Sequence, residues 1–267
     1  MAVELEIHDG NPWWLSSDIW VVPGTNPEGA PGTPIVGQTN YLWARVTNNG
    51  ISSVNNAVVR FYWANPSVGF DRNTANLVGT SNVNLLSGES ADVLCLTPWI
   101  PEYVNNGHEC VLAEAFHSSL DPLPVTPDFN VPTDRHVAQR NLSVVLAARG
   151  FFSIPFVIYN KLRVEQAFRV KVYQGRIGEL KPLQRKLRLD LPQKEGKLVQ
   201  TAFVDMQCPT EDVLDKCGCD SMDLCIPGKG SLFTTLVGRI EGKAALVHVA
   251  QFRNDQLVGG LSVLVTS

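Results

Sequence analysis

The stretch Gln38–Trp63, QTNYLWARVTNNGISSVNNAVVRFYW, admits few folds. Tyr41, Trp43, Arg45 and Thr47 alternate with Leu42, Ala44, Val46 and Asn48. Further on, Val59, Phe61 and Trp63 alternate with Val58, Arg60 and Tyr62. A period of two sends successive side chains to opposite faces, so each run is a half-buried strand. Asn48-Asn49-Gly50 is expected to supply the positive-φ positions of the turn between them.

The rest of the chain repeats this theme. Before it lie a short strand at Asp18–Val22 and a loop too rich in proline and glycine to hold a ladder, Pro23–Gly37. After it come Leu77–Leu86, Ala91–Leu96, His108–His117 and His136–Leu146, with turn signals between them. This is the spacing of a β-sandwich. A second set follows at Phe151–Tyr159, Ala167–Tyr173, Arg185–Leu191, Leu198–Met206, Leu232–Ile240, Ala244–Phe252 and Leu257–Val265. Pro155 marks Phe151–Tyr159 as an edge strand or the first strand of its domain. Arg253-Asn254-Asp255 reads as a hairpin turn, and Gly259-Gly260 as a bulge or a close backbone approach. No segment holds a sustained helical period, so the fold class is all-β.

A length of 267 residues suits two domains. Residues 1–149 carry six Arg, no Lys and fourteen Asp/Glu, a net of −8, and all six Trp; residues 150–267 carry sixteen Lys/Arg and twelve Asp/Glu, a net of +4. The expected organisation is two tandem immunoglobulin-like β-sandwich domains, 1–148 and 149–267, whose opposite charges favour docking.

Within residues 15–147, three segments resemble a known family: Asp18-Ile19-Trp20, Val46-Thr47-Asn48-Asn49-Gly50 and Asn56-Ala57-Val58-Val59-Arg60-Phe61-Tyr62-Trp63. They are similar to CARDB domains, the cell-adhesion-related immunoglobulin-like domains of bacteria. That group carries a strand ending in V-x-N-x-G, a small-residue loop and a strand ending in aromatics. Leu85-Leu86-Ser87-Gly88-Glu89-Ser90 is similar to its leucine-glycine-glutamate turn. The resemblance implies an immunoglobulin-like fold and an accessory role, and brings no catalytic residues. The second half looks immunoglobulin- or fibronectin-like by pattern alone.

Six cysteines form two groups. Cys95 and Cys110 end one strand and begin the next; bridged, they would close a loop worth about 3 kcal/mol in the chain-entropy model, and unbridged they are buried thiols. Cys208, Cys217, Cys219 and Cys225 lie in a loop between strands, and their spacing, C-x₈-C-x-C-x₅-C, fits two disulfides, reduced thiols or a Cys₄ zinc site. Neither knuckle of an ordinary zinc site is present. Asp212, Asp215, Asp220 and Asp223 lack the order of an EF-hand loop.

No catalytic constellation emerges. H-E-x-x-H, G-x-S-x-G and the phosphate-binding G-x-x-x-x-G-K-[ST] are all missing, and His108-Glu109-Cys110 lacks the zinc-deaminase spacing. Lys161–Lys197 carries eleven Lys/Arg against four Asp/Glu but few aromatics, so nucleic acid is an unfavoured partner and solvation the plainer role. Asn141-Leu142-Ser143 is a formal glycosylation sequon. The N-terminus has no basic-then-apolar leader and no run spans a membrane, so the chain is expected in the cytoplasm or exported without a cleavable signal. Bridged cysteines would place it at the cell surface.

These readings converge on a non-catalytic interaction or assembly module that recognises a protein partner, or itself, through sandwich edges and end loops. Trp13, Trp14 and Trp99 are candidate partner-binding residues; coplanar and exposed, they would favour carbohydrate. The alternatives are a metal-binding or enzyme-associated regulatory protein using the Cys208–Cys225 loop, or a carbohydrate-binding accessory module. Apart from possible zinc there, no cofactor is expected.

Overall fold

The computed structural model describes residues 2–64, 67–68, 72, 75–102, 110–126, 128–160, 162–205, 214 and 219–267. In it the two runs of the opening stretch become β3 (Asn40–Asn48) and β4 (Val54–Ala64), which belong to two facing sheets rather than one hairpin. The first sheet sets β1 (Leu5–Glu6) and β2 (Ile19–Pro23) along one side of β3 and β7 (Ser90–Leu94) along the other. The second runs β6 (Asn76–Leu85), β4, β8 (Cys110–Phe116), β9 (Val137–Arg140). Leu42, Ala44 and Val46 of β3 meet Val59 and Phe61 of β4 and Val111, Ala113 and Ala115 of β8 in the core. Each large apolar side chain so buried contributes about 1.5–3 kcal/mol.

The turn after β3 works differently from the expectation. None of Asn48, Asn49 and Gly50 has positive φ. Gly50 is needed because the N-terminal segment crosses it: a Cβ there would sit 2.3 Å from the Ala2 carbonyl oxygen. Asn48 closes the turn with its amide, donating to the carbonyls of Ser52 (2.8 Å) and Leu86 (3.1 Å).

The second sandwich has a five-stranded sheet ordered β10 (Leu142–Leu146), β17 (Gln256–Thr266), β16 (Ala244–Arg253), β12 (Gln166–Gly175), β14 (Ser221–Ile226). Facing it lie β13 (Lys197–Val204), β15 (Ser231–Glu241), β11 (Phe151–Tyr159) and β5 (Ser67–Val68). Phe152, Ile154, Phe156, Val170, Val247 and Val263 fill the space between. β11 is one strand in from the edge expected for it: among the described residues its outer side pairs with β5 alone, at Val157 and Ile158. The β16–β17 turn has positive φ at Asn254 (51°) and Asp255 (60°), as a tight hairpin requires.

Three sequence readings are corrected. The strand expected over His136–Leu146 is divided: β9 ends in the first sandwich at Arg140, and β10 runs parallel to β17 in the second, so the chain crosses at Asn141, ahead of the boundary expected after 148. Arg185–Leu191 is not a strand. A helix, α1 (Lys181–Leu187), takes its first three residues, with Pro182 in the helix's first turn and Leu183 and Leu187 buried on one side. The leucines four apart form the buried stripe of a short helix, and proline at the start loses no needed hydrogen bond.

Of the two readings open for Cys95 and Cys110, the structure has the unbridged, buried thiols and not the disulfide. Cys95 points into the first sandwich's core, whereas Cys110 points to the far face of its sheet, beside Tyr62, Leu112 and Phe129. A sheet lies between the sulfurs. The third correction is the cysteine-rich loop, whose end is strand: Met222, Leu224 and Ile226 turn inward while Ser221, Asp223 and Cys225 are exposed. Cys219 and Cys225 are unbridged and exposed; Cys208 and Cys217 lie outside the described residues. Among the described residues no group of three or more His, Cys, Asp or Glu side chains is placed to hold a metal ion, and no helix is long and apolar enough to cross a membrane.

Candidate functional site

Two features of this scaffold bear on function: the junction that fixes one sandwich on the other, and the strand edges that the fixed body presents. The tryptophans belong to the first. Trp14 is fully buried, and its ring lies where a Cβ on Gly260 would come within 2.4 Å of it. Gly260 is thus the close approach anticipated for the Gly-Gly pair, and its partner is an indole from the other sandwich. Trp13 stands edge-on to Trp14 at 5.2 Å and is partly buried. Trp99 is buried in the first core, where its backbone bridges Asn40. Trp14 and Trp99 therefore offer no face to a sugar or a foreign partner; Trp14 recognises the chain's own second half.

A polar relay runs behind Trp14. Its Nε1–H donates to Ser262 Oγ at 2.8 Å, leaving the Ser262 hydroxyl to donate to His248 Nδ1 at 2.7 Å. His248 Nε2–H then donates to Glu179 Oε2 at 2.9 Å. Burial pulls the His248 pKa below the ordinary histidine value, with the Glu179 carboxylate opposing it, in keeping with a neutral ring that both accepts and donates. The serine, histidine and glutamate have the identities of an acyl-transfer triad. Their setting is different: Ser262 is fully buried and its oxygen already accepts the indole N–H, so it has no approach to a substrate carbonyl. Sequence reading missed the relay because its members stand 69 and 14 residues apart along the chain.

Asn141 and Lys186 complete the junction. Asn141 is buried and its amide donates to the Gly260 carbonyl at 3.0 Å, so the sequon's asparagine is a buried structural residue. Lys186 of α1 donates to the Ser17 carbonyl at 2.5 Å and lies 3.8 Å from the centre of the Trp20 ring, which stacks on Trp43. Leu15, Ile177, Leu180, Leu183, Leu187, Leu246 and Leu264 pack around these contacts in one apolar cluster. An interface holding a buried indole, a satisfied polar chain and an apolar cluster does not hinge freely.

The first sandwich also holds two ionic clusters. Glu114, fully buried on β8, accepts from Tyr62 Oη (2.7 Å), Arg72 Nε (2.7 Å) and Arg60 Nη1 (3.3 Å). Nearby, His136 Nδ1 lies 2.7 Å from Asp134 and its Nε2 lies 3.2 Å from Asp121, which also pairs with Arg135. Burial alone would lower the His136 pKa, but the two carboxylates outweigh it and raise it.

The edges differ in how they are guarded. β14 carries Asp223, paired with Arg169 at 2.7 Å. β13 begins at Lys197 and is bulged between Leu198 and Gln200. β11 has Pro155 and is partly covered by β5. β9 is capped by the Trp13–Ser16 segment, with Ser16 N–H donating to the Gln139 carbonyl at 3.0 Å. β10, Leu-Ser-Val-Val-Leu, has no charge, no proline and no bulge, and among the described residues its single strand neighbour is β17. Val144 (43% exposed) and Leu146 (78%) lie on one face of it, while Ser143 and Val145 turn inward.

No family model matches the sequence, and no curated protein matches it. Solved structures do match. The CARDB domain of a Pyrococcus furiosus protein, solved in complex with di-metal ions, aligns with 52% of this chain and 90% of its own at 15% identity and a TM-score of 0.31. A Streptomyces venezuelae β-glucosidase in complex with D-glucose aligns over 52% of this chain and 15% of its own, at 18% identity and a TM-score of 0.27. Red sea bream transglutaminase aligns over all of this chain and 32% of its own, at 10% identity and 0.26. The chain is thus similar to a CARDB domain over about half its length. At these identities no activity, ligand or partner passes from those proteins to this one.

Proposed function

We propose that this chain is a non-catalytic interaction or assembly module, a rigid tandem of sandwiches that receives an extended segment of a protein partner on the edge of β10. The observation that carries this reading is the contrast between β10 and the other edges of its sandwich. Natural sheets protect exposed edges with charge, proline, bulges or cover, because unpaired N–H and C=O groups template further pairing. Among the described residues β10 has none of these, and its outward face offers Val144 and Leu146 to alternate side chains of an added strand. The locked junction supports the same reading, since a fixed edge loses less freedom on binding than a mobile one.

The test is selection of a random peptide library on the folded protein. The expected winners are uncharged, β-branched or apolar in alternate positions, and lose binding to the Val144→Lys variant, whose ammonium would sit on the edge. Winners of no common pattern, or binding indifferent to that substitution, would remove β10 from the account.

A further inference from the structure

We infer that the partner of the β10 edge is a second copy of this chain, joined head to tail, with β10 of one copy laid along β6 of the next. This deepens the preceding reading of β10 and rests on it. Its independent support is the distribution of charge over two halves fastened together at the Trp14 junction.

Divided where the chain crosses at Asn141, the first sandwich has fourteen Asp/Glu and five Arg, a net of −9, and the second has seventeen Lys/Arg and twelve Asp/Glu, a net of +5. Every arginine of the first sandwich is engaged: Arg45 with Asp92 at 2.7 Å, Arg60 and Arg72 with Glu114, Arg135 with Asp121, and Arg140 buried. Glu4, Glu28 and Glu89 remain exposed there. The second sandwich exposes Lys171, Lys181, Arg185, Arg188, Lys194 and Lys197, among others. The Trp14–Gly260 junction holds the negative and positive poles in one fixed relation.

Such a body selects among arrangements of two copies. A two-fold pairing of β10 with β10 would bring two positive sandwiches together, and like charges oppose it. Pairing β10 with an edge of the first sandwich brings opposite signs together. Among the described residues β6, NLVGTSNVNL, is the uncharged edge there; a bulge at Val78 interrupts it, and Gly79–Leu85 runs on beyond it. Its middle touches the facing sheet, where Ser81 Oγ–H donates to the Leu94 carbonyl at 2.5 Å, but Leu77 is 56% exposed and Thr80, Asn82 and Asn84 point outward. A β10–β6 contact is heterologous: each addition leaves one β10 and one β6 unpaired, so growth stays open unless the rotation closes a ring.

Sedimentation velocity on the whole chain reads this directly. For a 29.3 kDa chain the weight-average mass is expected to climb past that of a dimer as protein concentration rises in about 20 mM salt, and to fall toward the monomer in about 500 mM salt. Val144→Lys adds charge of the sign already present on its sandwich, so a loss of association reports the edge and not the poles. Val144→Lys and Leu77→Lys should each be monomeric alone, with melting curves unchanged because both sites are exposed. An equal mixture should give a one-to-one dimer and nothing larger, since one variant keeps β6 and the other keeps β10. Self-association of Leu77→Lys alone would overturn the inference in favour of a two-fold contact. A wild-type monomer at all concentrations, or assembly indifferent to salt, would overturn it outright. Peptides still captured on β10 by a monomeric chain would sink the head-to-tail inference and leave the β10 reading standing.

Discussion

The account of the junction makes a quantitative demand on Trp14 and Gly260. Replacing Trp14 with Ala removes a fully buried indole and its hydrogen bond to Ser262, at a cost of about 3–5 kcal/mol. Replacing Gly260 with Ala places a methyl carbon 2.4 Å from the same ring, and overpacking of this kind costs about 1–3 kcal/mol. Gly260 does not have positive φ, so the cost is steric and not conformational. In the Trp14→Ala background the methyl enters the cavity left by the indole, and its cost should fall below about 1 kcal/mol. The double-mutant cycle should therefore show a coupling of about 1–3 kcal/mol, within the range for residues in contact. The assay is equilibrium urea unfolding of the wild type, both single variants and the double, followed by tryptophan fluorescence and far-UV circular dichroism. Since the contact joins the two sandwiches, the single variants should also separate the two optical transitions. Costs that add to within about 0.5 kcal/mol would refute the reasoning, because the clash would then not be with Trp14.

Three further outcomes follow from the clusters and thiols. Glu114→Ala should destabilise the first sandwich by about 3–5 kcal/mol, because it strands buried Arg72 and Tyr62 polar groups; a change under 1 kcal/mol by urea unfolding would contradict the burial of that ion group. NMR titration should place His136 above and His248 below the ordinary histidine pKa. The signs then differ: stability from His136 is full below its unfolded pKa and lost as pH rises through the folded one, whereas His248 costs stability as pH falls from about 6.5, where the unfolded chain takes up a proton that the buried ring resists. His136→Asn and His248→Asn should remove these opposite slopes, and like signs would refute the assignment. Native thiol labelling followed by peptide mass analysis should modify Cys219 and Cys225 quickly. Cys95, pushed up to about 11 by burial, and Cys110, pushed higher still, should react only on unfolding.

What the sequence made legible follows from the range of the forces involved. Period-two alternation is a local consequence of the pleat, so β3, β4, β12 and the β16–β17 hairpin could be read directly. The short helix could not: Leu183 and Leu187 are two apolar positions amid Arg and Lys, and the cluster they bury against comes from Trp14, Leu246 and Leu264. Asn141 carries no local sign that one strand ends and another begins in a different sandwich there, since both flanks are strand-like. Trp14 and Trp99, expected as partner-binding residues, are buried instead. Burial of Trp14 depends on Gly260, far along the chain, and no spacing rule connects them. The unguarded β10 edge became visible only with sheet order in hand, because an edge is a property of neighbours and not of the strand's own residues.

Hydrogen exchange across β10 tests the central claim most directly. Amide exchange should be compared, at peptide resolution, between a dilute sample and one at the highest soluble concentration in low salt, or with a selected peptide bound. The account predicts that protection falls on Leu142–Leu146 with a peptide and on both Leu142–Leu146 and Asn76–Leu85 on self-association, and is lost in Val144→Lys while β16 and β17 exchange as before. Protection that appears elsewhere while Leu142–Leu146 exchanges unchanged would contradict it.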